Sequence, residues 1–85
     1  MPVVVREDGL TFVIHTRELP FEPPHVHVFL ADGRDVRIAL LSGTLLDLPP
    51  VTRRRAILEA FGRHLSAIRQ MWQDIHGPLP GDLEL

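Results

Sequence analysis

Two histidines one residue apart, His25 and His27, sit in the run Glu22-Pro23-Pro24-His25-Val26-His27-Val28. Imidazole is the side chain suited to ligating a divalent metal, to moving a proton near neutral pH, or to meeting an anion beside a guanidinium. Successive side chains of a strand point to opposite faces, so His25 and His27 share one face while Val26 and Val28 share the other. Two arrangements of chemistry follow. In the first, His25 and His27 ligate a divalent ion such as zinc, with His15 or Glu22 as the third ligand. In the second, the imidazoles join Arg37 to receive a phosphate or carboxylate. A ribonuclease is the catalytic form of that second arrangement, with His25 and His27 as general acid and base and Arg37 stabilising the phosphorane. The third reading needs no ligand: both rings hydrogen-bond carbonyls near residues 20–22 and clamp that loop to the sheet. An arginine beside His27 repels a divalent cation, so no cofactor is the expectation.

Three further features carry charge or aromatic surface. Arg53-Arg54-Arg55 opens a helical pattern, where the macrodipole disfavours cations. The triplet therefore reads either as an anion-facing patch or as aliphatic stems laid over Pro49 and Pro50. Without interleaved aromatics it is a weak nucleic-acid signal. Trp72 lies on an apolar stripe and reads as a core or interface anchor. His64 falls at the boundary of that stripe, and His76 suits a helix C-terminus.

The elements that must position these residues follow from patterning. Val3-Val4-Val5 and Leu10 to His15 flank Asp8-Gly9 and predict a first hairpin. A two-residue turn there pairs Val5 with Phe12 and Val3 with Ile14. His25 to Leu30 and Arg34 to Leu40 predict a second hairpin. A two-residue turn would mix its faces, whereas a three-residue turn at Ala31-Asp32-Gly33 pairs Val26 with Ile38, Val28 with Val36 and His27 with Arg37. Residues 16–24 hold three prolines and read as a loop. Thr44 to Leu46 suits a short strand. From an N-cap at Thr52, Ile57, Leu58, Phe61, Leu65, Ile68, Trp72 and Ile75 recur at helical spacing up to Gly77-Pro78. One helix over 52–76 would run about 37 Å, against about 20 Å for a six-residue strand. Its far end, with Met71, Trp72 and Ile75, would overhang the sheet and meet folded-back loops or a second copy of the chain.

Eighty-five residues allow one core, and a chain this short is only marginally stable. Cysteine is absent, which excludes disulfides and thiolate metal sites. The formal net charge of −2 gives no global nucleic-acid signature, and all nine basic residues are arginine. No apolar run approaches the ~20 residues of a membrane span, so a cytoplasmic protein with no membrane partner is expected. The expected fold is a single α+β domain over 1–77, a small antiparallel sheet of two hairpins packed on one face by a long C-terminal helix. Residues 78–85 form an acidic tail. The opposite sheet face would be open and carry His15, His25, His27, Arg37, Val13 and Phe29.

The Met1-Pro2 opening, the first hairpin, the Glu22-to-Val28 run, the alternating strand at Val36 to Leu40 and the helix with Ile57-Leu58-Glu59 and Trp72 together resemble a small bacterial family, domain of unknown function 4160. That family has no established activity. Its genes commonly neighbour a second small domain, in pairs suspected to be toxin–antitoxin-like. The resemblance implies a non-catalytic component that binds the small protein encoded by a neighbouring gene. The residues' own chemistry, not the resemblance, gives the candidate binding positions His15, Glu22, His25, His27, Arg37, Arg53, Arg54, Arg55 and Trp72. Members usually carry glutamate and lysine on the last helix, where Arg53, Arg54, Arg55, Arg63 and Arg69 stand here.

Overall fold

The computed structural model describes residues 2–17, 23–47 and 51–79, with residues 51 and 52 described in backbone only. Four strands, β1 (Val3–Glu7), β2 (Leu10–Val13), β3 (His25–Leu30) and β4 (Asp35–Ala39), form one antiparallel sheet in the order β1-β2-β3-β4. Two helices follow, α1 (Val51–Arg63) and α2 (Leu65–His76). This is the α+β architecture read from the patterning, with the helical layer on one face.

Turn chemistry sets both hairpins. Asp8 and Gly9 have φ of +49° and +77°, the two positive values that a type I′ turn requires. The second hairpin closes through Ala31-Asp32-Gly33, with Gly33 at φ +93° and the Leu30 N–H donating to the Arg34 carbonyl at 2.8 Å. Its register pairs Val26 with Ile38, His27 with Arg37 and Val28 with Val36, as face consistency demanded. Beyond β4, Leu45 bridges to Ile38, and the Leu46 N–H donates to the Arg37 carbonyl at 2.8 Å. The short 44–46 segment thus lies beside β4.

One face of the sheet makes the core. Leu10, Phe12, Ile14, Val26, Val28, Leu30, Val36, Ile38 and Leu40 pack with Ile57, Ala60, Phe61, Ile68 and Trp72 of the helices. Val26 and Val28 are fully buried toward the helices. Leu79 is also fully buried in this cluster, so packing extends past Gly77-Pro78, while residues 80–85 lie outside those described.

Three expectations change. Val3 pairs with Val13 rather than Ile14, because a bulge separates it from the Val5–Phe12 pair. The extra residue turns Val4 toward the core beside Val5 and leaves Val3 exposed. The single 52–76 helix is instead two, interrupted at His64 with φ −109° and ψ 12°. Helices of 13 and 12 residues span about 20 and 18 Å, close to the strand length, so the break removes most of the overhang. Gly62 lowers helical preference just before it, and the His64 ring is held by Glu7 of β1 at 3.3 Å. At the other end the His76 Nε2–H donates to the His15 carbonyl at 2.7 Å. Helix α2 therefore runs from one end of the first hairpin to the other. Helix α1 begins at Val51, so Thr52 lies within it rather than capping it; Pro49 and Pro50 lie outside the described residues.

Candidate functional site

The candidate residues gather on the sheet face turned away from the helices. His25 and His27 come from β3, His15 from the extension of β2, Arg37 from β4 and Asp47 from the segment beside it. Strand alternation delivers this grouping without special backbone. The face is not open, however. His25 is 1% exposed, His27 8% and Val13 3%, which corrects the expected exposed surface: alternation assigns a side chain to a face but not to solvent.

Each ring has a defined neighbour. The His25 Nδ1–H donates to the Pro23 carbonyl at 2.8 Å. The His27 Nδ1–H donates to the Asp35 carboxylate, 3.1 and 3.2 Å from its two oxygens. An acceptor-only carboxylate fixes the proton on Nδ1. The His15 ring stacks on His27 with centroids 3.6 Å apart and planes 13° from parallel, and His25 meets His27 edge-on at 4.9 Å. Phe29 continues the row at 6.3 Å.

Arg37 is engaged by a carboxylate the sequence did not single out. Its Nε and Nη2 donate to Asp47 Oδ2 and Oδ1 at 3.0 and 3.1 Å, and its backbone N–H donates to Oδ2 at 3.0 Å. The side-chain bonds from Arg37 are the main cause holding the Asp47 carboxyl below its ordinary range, against the opposing effect of burial. The folded group thus titrates below the unfolded one. Its stabilisation is present above the unfolded value of about 4 and is lost as pH falls through the lower folded value. We expect Asp47→Asn to cost about 1 kcal/mol at neutral pH, a half-exposed bidentate pair being worth no more. The gap from the parent should close in urea titrations below about pH 4.

The arrangement limits the chemistry. A metal lies in the plane of each imidazole that ligates it, and two near-parallel rings 3.6 Å apart offer His15 and His27 no shared point. Among the described residues no group of three His, Asp or Glu side chains is disposed to hold a metal ion. A phosphate approaching Arg37 would have to displace Asp47. The Asp35–His27 pair has the orientation of a carboxylate-supported base. Yet a base must reach the proton it takes, and His27 is only 8% exposed.

The remaining candidates lie elsewhere. Arg53 Nη2 donates to the Asp8 carbonyl at 3.0 Å, Arg55 Nε pairs with Glu59 at 2.8 Å, and Arg54 is exposed. The triplet thus diverges. Arg54, Arg55 and Glu59 frame exposed Leu58 in an open groove of about 460 Å³ on the outer side of α1. Trp72 is buried in the core beside His76, centroids 4.8 Å apart. Glu22 lies outside the described residues. Reasoning from sequence missed Asp35, Asp47 and the cluster in which Arg63, at 2.6 Å, and His64 hold Glu7. The Arg63 bond is the chief cause lowering the Glu7 carboxyl. Asp47 had one available signal: it follows directly on the short 44–46 segment.

No helix among the described residues is long and apolar enough to cross a membrane. Comparison of the chain with family models, curated proteins and solved structures finds no match to any of them.

Proposed function

We propose that this protein is a non-catalytic binding module whose partner is the small protein encoded by a neighbouring gene, as in toxin–antitoxin-like pairs. The observation that carries this reading is that the imidazole–guanidinium set is closed on itself. His25, His27 and Arg37 donate to the Pro23 carbonyl, Asp35 and Asp47. Groups fastened in this way stiffen a small sheet that has no disulfide to help it. The partner is placed on the outer side of α1, where exposed Leu58 supplies an apolar anchor and Arg54 and Arg55 select an acidic rim.

Co-expression with the neighbouring gene product tests the reading. The two should co-purify in fixed stoichiometry, and an Arg54→Glu, Arg55→Glu pair should weaken the complex about tenfold or more. Absence of a complex, together with RNA cleavage by the isolated chain that His27→Ala abolishes, would replace this proposal with the ribonuclease reading.

A further inference from the structure

We infer that the open edge of β1 is a self-association surface, on which β1 of a second copy pairs antiparallel about a two-fold axis. Strand β1 stands at the end of the sheet order, with no strand on its outer side among the described residues. Its sequence, Val3-Val4-Val5-Arg6-Glu7, holds no lysine or proline; the features that set it apart from a plain edge are the charges of Arg6 and Glu7 and the bulge between Val3 and Val5.

The register of the first hairpin shows which backbone groups point outward. The two-residue turn makes Glu7–Leu10 a hydrogen-bonded pair, so the next pair, Arg6–Thr11, is not bonded. Arg6 therefore directs its N–H and C=O to the open edge. At the other end the Ile14 N–H donates to the Pro2 carbonyl at 3.1 Å, and Val3 is the partner of Val13. That bond brackets Val3–Val13 as another unbonded pair, so Val3 also presents its N–H and C=O outward. In a regular strand outward groups recur every two residues. The bulge sets these two three apart. A regular strand cannot match that spacing, but a second β1 running antiparallel does, with Val3 facing Arg6 of the other copy at both ends.

Side chains agree with this register. Val3 and Arg6 are both exposed and both partners of outer-face residues, Val13 and Thr11. Opposed residues in a sheet share a face, so the arginine stem would lie over the partner copy's valine. Between them Val4 and Val5 lie on the core side yet are only partly buried. Helix α2 extends the strip. Met71 and Ile75 lie seven and eleven residues beyond His64, hence on the side of the helix that His64 uses to reach Glu7 of β1. Both are packed on the core but incompletely covered. An apolar band therefore follows the unpaired backbone edge, and the bulge selects this same chain as its occupant.

Sedimentation velocity of the full chain, from the micromolar to the hundred-micromolar range, tests the inference alongside two charge variants at exposed Val3. A monomer–dimer equilibrium is expected. Val3→Arg places like charges opposite Arg6 twice and should weaken the dimer about tenfold, whereas Val3→Glu places opposite charges there and should leave it as tight or tighter. Amide exchange should slow at Val3 and Arg6 as concentration rises. A monomer at every concentration overturns the inference, as does a dimer that both variants weaken equally. Neither outcome bears on binding of the neighbouring gene product through α1.

Discussion

The His25→Ala, His27→Ala double variant is expected to lose about 3 kcal/mol or more of unfolding free energy. Two rings that are 1% and 8% exposed leave cavities when truncated. Their acceptors, the Pro23 carbonyl and the Asp35 carboxylate, also lose donors, but both residues are exposed and water can replace those bonds, so the cavities carry most of the loss. His15 loses the ring on which it stacks. A domain of this size has only about 4–13 kcal/mol in total, and each kcal/mol shifts its melting temperature by about 4–8 °C. Thermal denaturation followed by circular dichroism should therefore show a fall of more than about 12 °C. A binding site rather than a fastening would give the opposite pattern: affinity lost with the melting temperature unchanged. A stable double variant would count against the structural role.

Trp72→Ala is the second large effect, expected to cost about 3–5 kcal/mol. Trp72 joins α2 to the core next to Ile68 and packs against His76, the residue that ties α2 to the end of the first hairpin. Its Nε1–H has no hydrogen-bond partner among the described residues, so the side chain contributes volume and contact rather than a bond. Trp72→Phe, which keeps most of that volume, should accordingly cost less than about 1.5 kcal/mol. Urea denaturation of the three proteins would order them as parent, Phe, Ala. Equal losses for Phe and Ala would mean that the indole nitrogen carries the stabilisation.

The second hairpin was legible in the sequence because only one register keeps Val26, Val28, Val36 and Ile38 on a common face. The first was legible at its turn but not at its far end. Three consecutive valines carry no period-two signal, so nothing in Val3-Val4-Val5 marks the bulge. The helix break was hidden for a similar reason. The apolar stripe from Ile57 to Ile75 continues across His64, and the overhang of a single long helix was the one sign that it could not stay straight. The candidate site was half legible. Alternation placed His25, His27 and Arg37 on one face, and β3–β4 register set His27 across from Arg37. What alternation cannot give is cover. His15 lies against His27 and the Pro23 carbonyl against His25 only in the assembled sheet, and the partner carboxylates Asp35 and Asp47 become neighbours only once β4 and the segment beside it are in place.

Acid stability and side-chain truncation both probe the fastening indirectly, through the whole fold. Mapping imidazole acylation by diethylpyrocarbonate in the native protein, residue by residue with mass spectrometry, probes it at the rings themselves, since the reagent needs an accessible ring nitrogen. His25 and His27 should stay unmodified until denaturant unfolds the sheet, then react at the rate of a free imidazole. Rapid modification of either ring in the folded protein, with the melting temperature intact, would contradict the account and return both histidines to the list of groups open to a ligand.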